Sequence, residues 1–190
     1  MDTALLNDLF TDKLLGKFGE KNGRHFARLK ETDKSAKLKQ IDIFDVPEGS
    51  VLINLDKAEP PHSLFKKGKG KCRRCDYVLI TKTKYKHIML FIEMKSAKRV
   101  PVSDVKKQFW GAECVIDYCN ATLKRFHDQT DFFGKYKKRF VVFYKPSISK
   151  ITTRLPRKIS HGKITKTNDK PEDMLKYRAP INPSLRSLIL

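Results

Sequence analysis

The stretch CRRCDYVLITKTKYKHIMLFIEMKSAKR, residues 72–99, decides the fold of this chain and poses its main chemical question. Two runs rich in Val, Ile, Leu and Phe, residues 77–81 and 87–95, flank the polar segment KTKYK. Both have strand length, and so short a connection allows only an antiparallel pair. Yet Asp76 opens the first run, and Glu93, followed two residues later by Lys95, closes the second. A charge inside a strand covered on both faces is costly unless something compensates it, so burial alone does not explain these acids.

Strand periodicity places Glu93 and Lys95 on one face, with Phe91 and Met89 behind them. A hairpin centred between Lys84 and Tyr85 puts Asp76 directly across from Glu93, with Cβ atoms roughly 4.5–5.5 Å apart. A register slip of one residue would undo this. Two facing carboxylates repel in a bare sheet, but a hard divalent cation such as Mg²⁺ is held by one or two carboxylates together with waters and phosphate oxygens. A lysine on the same face can hold the attacking water and offset phosphate charge. The trio is a device for phosphodiester hydrolysis. The plainer alternatives are a strand-entry Asp76 partnered by Arg73 and Arg74, and an exposed Glu93–Lys95 ion pair.

Outside the hairpin, residues 4–15 form an expected helix, with Leu5, Leu6, Leu9, Phe10, Leu14 and Leu15 on its apolar stripe. A second helical turn is expected over 24–29, and residues 30–40 are charged and expected on the surface. Residues 41–46 and 51–55 are β-prone runs around Pro-Glu-Gly-Ser and predict a hairpin. Ser103 is a good N-cap for a long helix whose stripe is Val105, Phe109, Ala112, Ile116, Cys119, Leu123 and Phe126. Trp110 is expected in the core. Residues 140–144 form a further strand. The fold class is therefore α/β, a central mixed β-sheet flanked by helices. Residues 1–146 make the core, and 147–190 a basic, proline-containing extension of loops and short surface pieces.

Asp76, then Glu93-Met94-Lys95 at the end of an apolar strand, then a long helix, resembles the PD-(D/E)XK nuclease superfamily over roughly residues 4–145. The resemblance implies an αβββαβ restriction-endonuclease-like core and Mg²⁺- or Mn²⁺-dependent cleavage of phosphodiester bonds, in DNA rather than RNA. It makes Asp76 and Glu93 metal ligands, adds the Met94 carbonyl, and makes Lys95 the catalytic lysine. Gln108 resembles the helix glutamine of some members, and Glu20 is the one tolerable counterpart of a first-helix glutamate. Cys75 stands where many members carry proline, and Ala112 stands where a Gln-x-x-x-Tyr pattern would put tyrosine. An effector of a defence or mobile-element system, and a homodimer or partner protein, are associations drawn from the superfamily. A non-catalytic nucleic-acid-binding or structural module with this fold is the alternative from another class.

Composition agrees with a polyanionic partner. Lys+Arg number 41 against 21 Asp+Glu, a formal net charge of +20, and neutralising phosphates releases counterions. The acid-free stretch KKGKGKCRR supplies the expected nucleic-acid-binding residues Lys66, Lys67, Lys69, Lys71, Arg73 and Arg74. Its glycines lack the spacing of a phosphate-binding P-loop. The five histidines are scattered. Cys72 and Cys75 form a lone CxxC, and Cys114 and Cys119 lack zinc-knuckle spacing, so free thiols are expected. No apolar run is long enough for a membrane span, and the acidic opening MDTALLNDLFTDKLL is unlike a secretory signal, so a cytoplasmic protein is expected.

Overall fold

The computed structural model describes residues 3–33, 35–62, 64–66, 68–97, 99–145, 167–179 and 182–189. Strands β5 (Tyr77–Lys82) and β6 (His87–Lys95) form the expected hairpin at the centre of a five-stranded mixed sheet. On one side of β5 lies β4 (Val51–Asn54), antiparallel to it. On the other side of β6 lie β7 (Lys137–Tyr144) and then β8 (Leu175–Arg178), both pairing in parallel. A parallel β6–β7 pair needs a crossover, and helix α2 (Val102–Phe126) supplies it. A second sheet, antiparallel, contains β1 (Lys17–Lys21), β2 (Arg24–Lys30) and β3 (Gln40–Phe44). The described residues thus form an α/β fold with two sheets, plus α2 and a short N-terminal helix, α1 (Thr3–Leu9).

The two faces of the central sheet bury different partners. Val78, Ile80, Met89 and Phe91 pack with Val105, Phe109, Ala112, Ile116 and Leu123 of α2 and with Leu6 and Phe10 at the N-terminus. Tyr77, Leu79, Leu90, Ile92 and Met94 pack on Ala27, Leu29, Ile41 and Ile43 of the smaller sheet. Strand β6 is therefore covered on both sides, which is why its sequence is almost continuously apolar rather than alternating. Phe140 of β7 stacks on Phe91 with centroids 4.9 Å apart and meets Phe109 of α2 edge-on at 5.2 Å.

Several expectations give way. Residues 24–29 are strand β2, not a helical turn, because Asn22 and Gly23 both take positive φ and close a β1–β2 hairpin. Asn-Gly is a strong hairpin signal, since that turn needs two left-handed residues. The segment 41–55 is not a hairpin. β3 pairs with β2 while β4 pairs with β5, so the Pro-Glu-Gly-Ser link carries the chain from one sheet to the other. The first helix stops at Leu9, and a 3-10 turn follows at Asp12–Leu14. The cap of α2 is Pro101 rather than Ser103. Phe126, its last residue, lies beyond the buried stripe that ends at Leu123 and is exposed.

The extension differs as well, where it is described; residues 146–166 lie outside the described residues. Instead of surface pieces, it supplies edge strand β8 and the buried side chains of Ala179, Leu185 and Leu188. Buried Asn168 donates its amide to the carbonyls of Phe140 and Leu188, and the Phe140 amide donates to the Asn168 carbonyl. Further on, the Phe44 amide donates to the Pro183 carbonyl, tying β3 to the same segment. Among the described residues no helix is long and apolar enough to cross a membrane.

Phe140 joins sheet and helix through one fully buried ring. Phe140→Ala is expected to lower stability by about 3–5 kcal/mol, read as a fall in the urea midpoint at unchanged slope.

Candidate active site

The β5–β6 register runs from Lys82 opposite His87 to Tyr77 opposite Ile92. The turn centres on Lys84 and Tyr85: the Thr83 amide donates to the Lys86 carbonyl at 2.9 Å, and the Lys86 amide donates to Thr83 Oγ1. One step beyond Tyr77 and Ile92 the two strands reach Asp76 and Glu93, the juxtaposition that hairpin symmetry predicts. Glu93 falls on the face that carries Met89 and Phe91, the α2 side of the sheet.

Five of the expected site residues meet here. Asp76 Oδ2 accepts the Met94 amide at 2.6 Å. Glu93 Oε1 takes an ion pair from Lys95 Nζ and a hydrogen bond from Gln108 Nε2 at 2.9 Å. Gln108 projects from the second turn of α2 and also reaches the Arg74 carbonyl. Glu93 is fully buried, and its second oxygen, Oε2, has no hydrogen-bond partner. An ionised carboxylate with one buried, unsatisfied oxygen is a costly arrangement that a bound cation would relieve.

Burial is the main reason that both acids resist ionisation. It drives the Asp76 carboxyl well above the usual carboxylate range, the Glu93 charge adds to the effect, and the Met94 amide and Lys95 oppose it. Glu93 is pushed up to about 7 by burial, against the pull of Lys95, Gln108 and the Asp76 backbone. Two neighbouring acids both raised by burial, the charge of Glu93 raising Asp76 further and Lys95 paired with Glu93, are typical of functional sites.

The donor set is two carboxylates with the Met94 carbonyl close by in sequence, all hard oxygens. Such a set suits Mg²⁺ or Mn²⁺, which take few protein ligands and leave positions for water and phosphate. Among the described residues no group of three or more His, Cys, Asp or Glu side chains gathers as a metal cage, so further ligands would come from solvent and substrate. No protein-family model, curated protein sequence or solved structure matches this chain. The geometry of the site itself therefore carries the functional argument.

The basic residues before Asp76 divide in two. Lys66, Lys69, Lys71 and Arg73 are exposed, with Arg73 paired to Asp104 of α2 at 2.7 Å. Lys67 lies outside the described residues. Arg74 turns inward and donates to the carbonyls of Leu55 and Ala58, so it holds the chain entering β5 rather than facing solvent. This segment lies directly on α2: a Cβ at Gly111 would come within 1.7 Å of the Arg73 carbonyl oxygen. Only glycine permits that approach, which also sets Arg74 within reach of Gln108.

Glu20 is exposed on β1 opposite His25 and takes no part in the site. Glu31, which directly follows β2, is instead close enough to Asp76 to raise its pKa further. Its position depends on the smaller sheet, which the Asn22-Gly23 turn signals in the sequence. Tyr77 joins the two sheets there, its hydroxyl donating to the Lys30 carbonyl and accepting the Lys30 amide. The four cysteines are free: Cys75 and Cys119 are buried, Cys72 is half-buried and Cys114 is exposed.

The raised Glu93 pKa has a defined consequence for stability. Between the ordinary carboxyl value of 4.5 and about 7, the unfolded chain has released this proton while the folded chain keeps it. Folding stability therefore falls as pH rises through that window and levels off above it. Glu93→Gln removes this titration. Thermal midpoints followed from pH 4.5 to 8 should decline more steeply in wild type than in the variant, and Mg²⁺ at pH 8 should raise the wild-type midpoint more than that of Glu93→Gln.

Proposed function

We propose that this chain is a metal-dependent nuclease that hydrolyses phosphodiester bonds in DNA, with a site of the PD-(D/E)XK type. One observation carries this reading: Asp76 and Glu93 meet at the end of a doubly buried hairpin, with an unsatisfied Glu93 oxygen and Lys95 beside them. The order α1, β4, β5, β6, α2, β7 supports a restriction-endonuclease-like core, with the three-stranded sheet inserted between its first helix and first strand. The net charge of +20 supports a polyanionic substrate.

Asp76, Glu93 and the Met94 carbonyl would hold Mg²⁺ or Mn²⁺. When bound, such an ion supplies a water of lowered pKa and offsets charge on the scissile phosphate. The remaining work belongs to the side chains. The Met94 amide fixes the Asp76 carboxylate, and Gln108 fixes that of Glu93. Lys95 neutralises Glu93, and from the same face its ammonium would orient the attacking water and offset charge developing on the phosphate. The exposed lysines at 66, 69 and 71 hold the phosphate backbone without reading sequence. Cutting both strands would need two such sites, supplied by a homodimer or a partner protein.

Purified protein incubated with plasmid and single-stranded DNA should cleave only when Mg²⁺ or Mn²⁺ is added. Asp76→Ala and Lys95→Ala should each lower the rate by roughly 10²–10³-fold, and Gln108→Ala by roughly 10–100-fold through lost positioning, with folding checked by thermal midpoint. Equal cleavage by wild type and variants would reject the mechanism. Binding with no cleavage under either metal would instead assign a nucleic-acid-binding module of nuclease-like fold.

A further inference from the structure

Trp110, expected in the core, is 46% exposed and forms part of the wall of a groove of about 750 Å³ on the outer side of α2. Beside it stand Tyr118, 75% exposed, and Leu64 and Phe65 from the segment that precedes the basic stretch. The cations Lys69, Lys71 and Lys107 also border this space, against the single carboxylate Glu59 in its lining, and no carboxylate pairs with these three lysines among the described residues. Lys106 lies over the Trp110 ring at 5.1 Å and is held there by Glu172. The Arg73–Arg74 segment forms another wall, and the Arg74 carbonyl is the one that Gln108 reaches from the acid pair. The groove and the candidate active site thus share one stretch of backbone.

We infer that this groove binds unpaired nucleobases of a single-stranded nucleic acid, stacked on Trp110 and its aromatic neighbours while Lys69, Lys71 and Lys107 take the flanking phosphates. The inference rests on the nuclease reading for the adjoining site and names the substrate's form: a single strand, or a strand opened next to the bond to be cut. Flat aromatic faces serve any base and need no sequence, and phosphate-paired lysines beside them are the usual complement in single-strand binding. The interior of a duplex offers no base face to such a wall, because its bases are already stacked on both sides. An apolar protein segment would leave the lysines along the groove unneutralised.

Trp110 is the sole tryptophan of the chain, so its emission reports the groove directly. The test is a titration in EDTA, where metal-dependent cleavage is silent, with an unstructured oligonucleotide, a blunt duplex of the same sequence and an abasic strand. Emission should be quenched by the unpaired strand and little changed by the other two. Trp110→Ala should weaken single-strand binding by about 5- to 100-fold, measured by anisotropy of a labelled strand, and Trp110→Phe should restore most of it. The same strand should protect Cys114, which is exposed within the groove, from alkylation.

Quenching by the abasic strand equal to that by the intact one, or a Trp110→Ala affinity within about twofold of wild type, would overturn the inference. So would emission that shifts with protein concentration and not with added strand, which would assign the groove to a second copy of the chain. Metal-dependent cleavage with no base-dependent quenching would overturn it while leaving the nuclease reading intact. Base-dependent quenching without cleavage would support it and remove that reading.

Discussion

The burial of β6 on both faces governs the rest of this structure. A strand between α2 and a second sheet has no solvent to hydrate a charge, so every polar group on it must find a partner inside the protein. Glu93 has Lys95 and Gln108 for one oxygen and nothing for the other. Its position near the end of the strand matters. One or two residues further on, the chain leaves the sheet, and Lys95 is already partly exposed. The charged pair is thus set at the rim of the core, where burial raises its energy and solvent or substrate can still reach its neighbours.

Contacts from three elements hold that rim in place. Asp76 enters from β5 and is fixed by a backbone amide of β6, so the spacing between the two acids follows from the hairpin register. Gln108 enters from α2, and α2 is itself positioned by the aromatic cluster of Phe91, Phe109 and Phe140. The basic segment before β5 is held on the helix by the Arg73–Asp104 pair and by the absence of a side chain at Gly111. That contact also makes the groove beside Trp110 a continuation of the site. A helix that serves as core on one face and as groove wall on the other explains why Trp110 and Phe109, neighbours in sequence, have opposite environments.

The hairpin and the acid pair were legible because they depend on local rules. Strand period, turn length and the symmetry of a short hairpin are properties of contiguous residues, and together they assign Asp76 to Glu93. The long helix was legible for the same reason, with a stripe at spacings of three and four residues. Of the smaller sheet only the run at 41–46 is legible as a strand; β1 and β2 are not, although their local signal, Asn22-Gly23, is present, because the residues after it, RHFARLK, mix charges with apolar positions and lack a clean period. Its outer face is solvated and its inner face packs on β5 and β6, so alternation is blurred by long side chains such as Arg28, which pairs with Asp42.

By itself, the sequence determined the β5–β6 hairpin, the facing acids, the lysine two residues on, and the excess of positive charge. Each follows from residue type and short-range geometry. Tertiary structure alone decided that Glu93 is fully desolvated, that Gln108 reaches it, that Arg74 turns inward, and that Leu175–Arg178 add an edge strand to the sheet rather than lie over it. These depend on which face of each strand another element covers, and coverage comes from contacts between segments far apart in the chain, which no local pattern encodes.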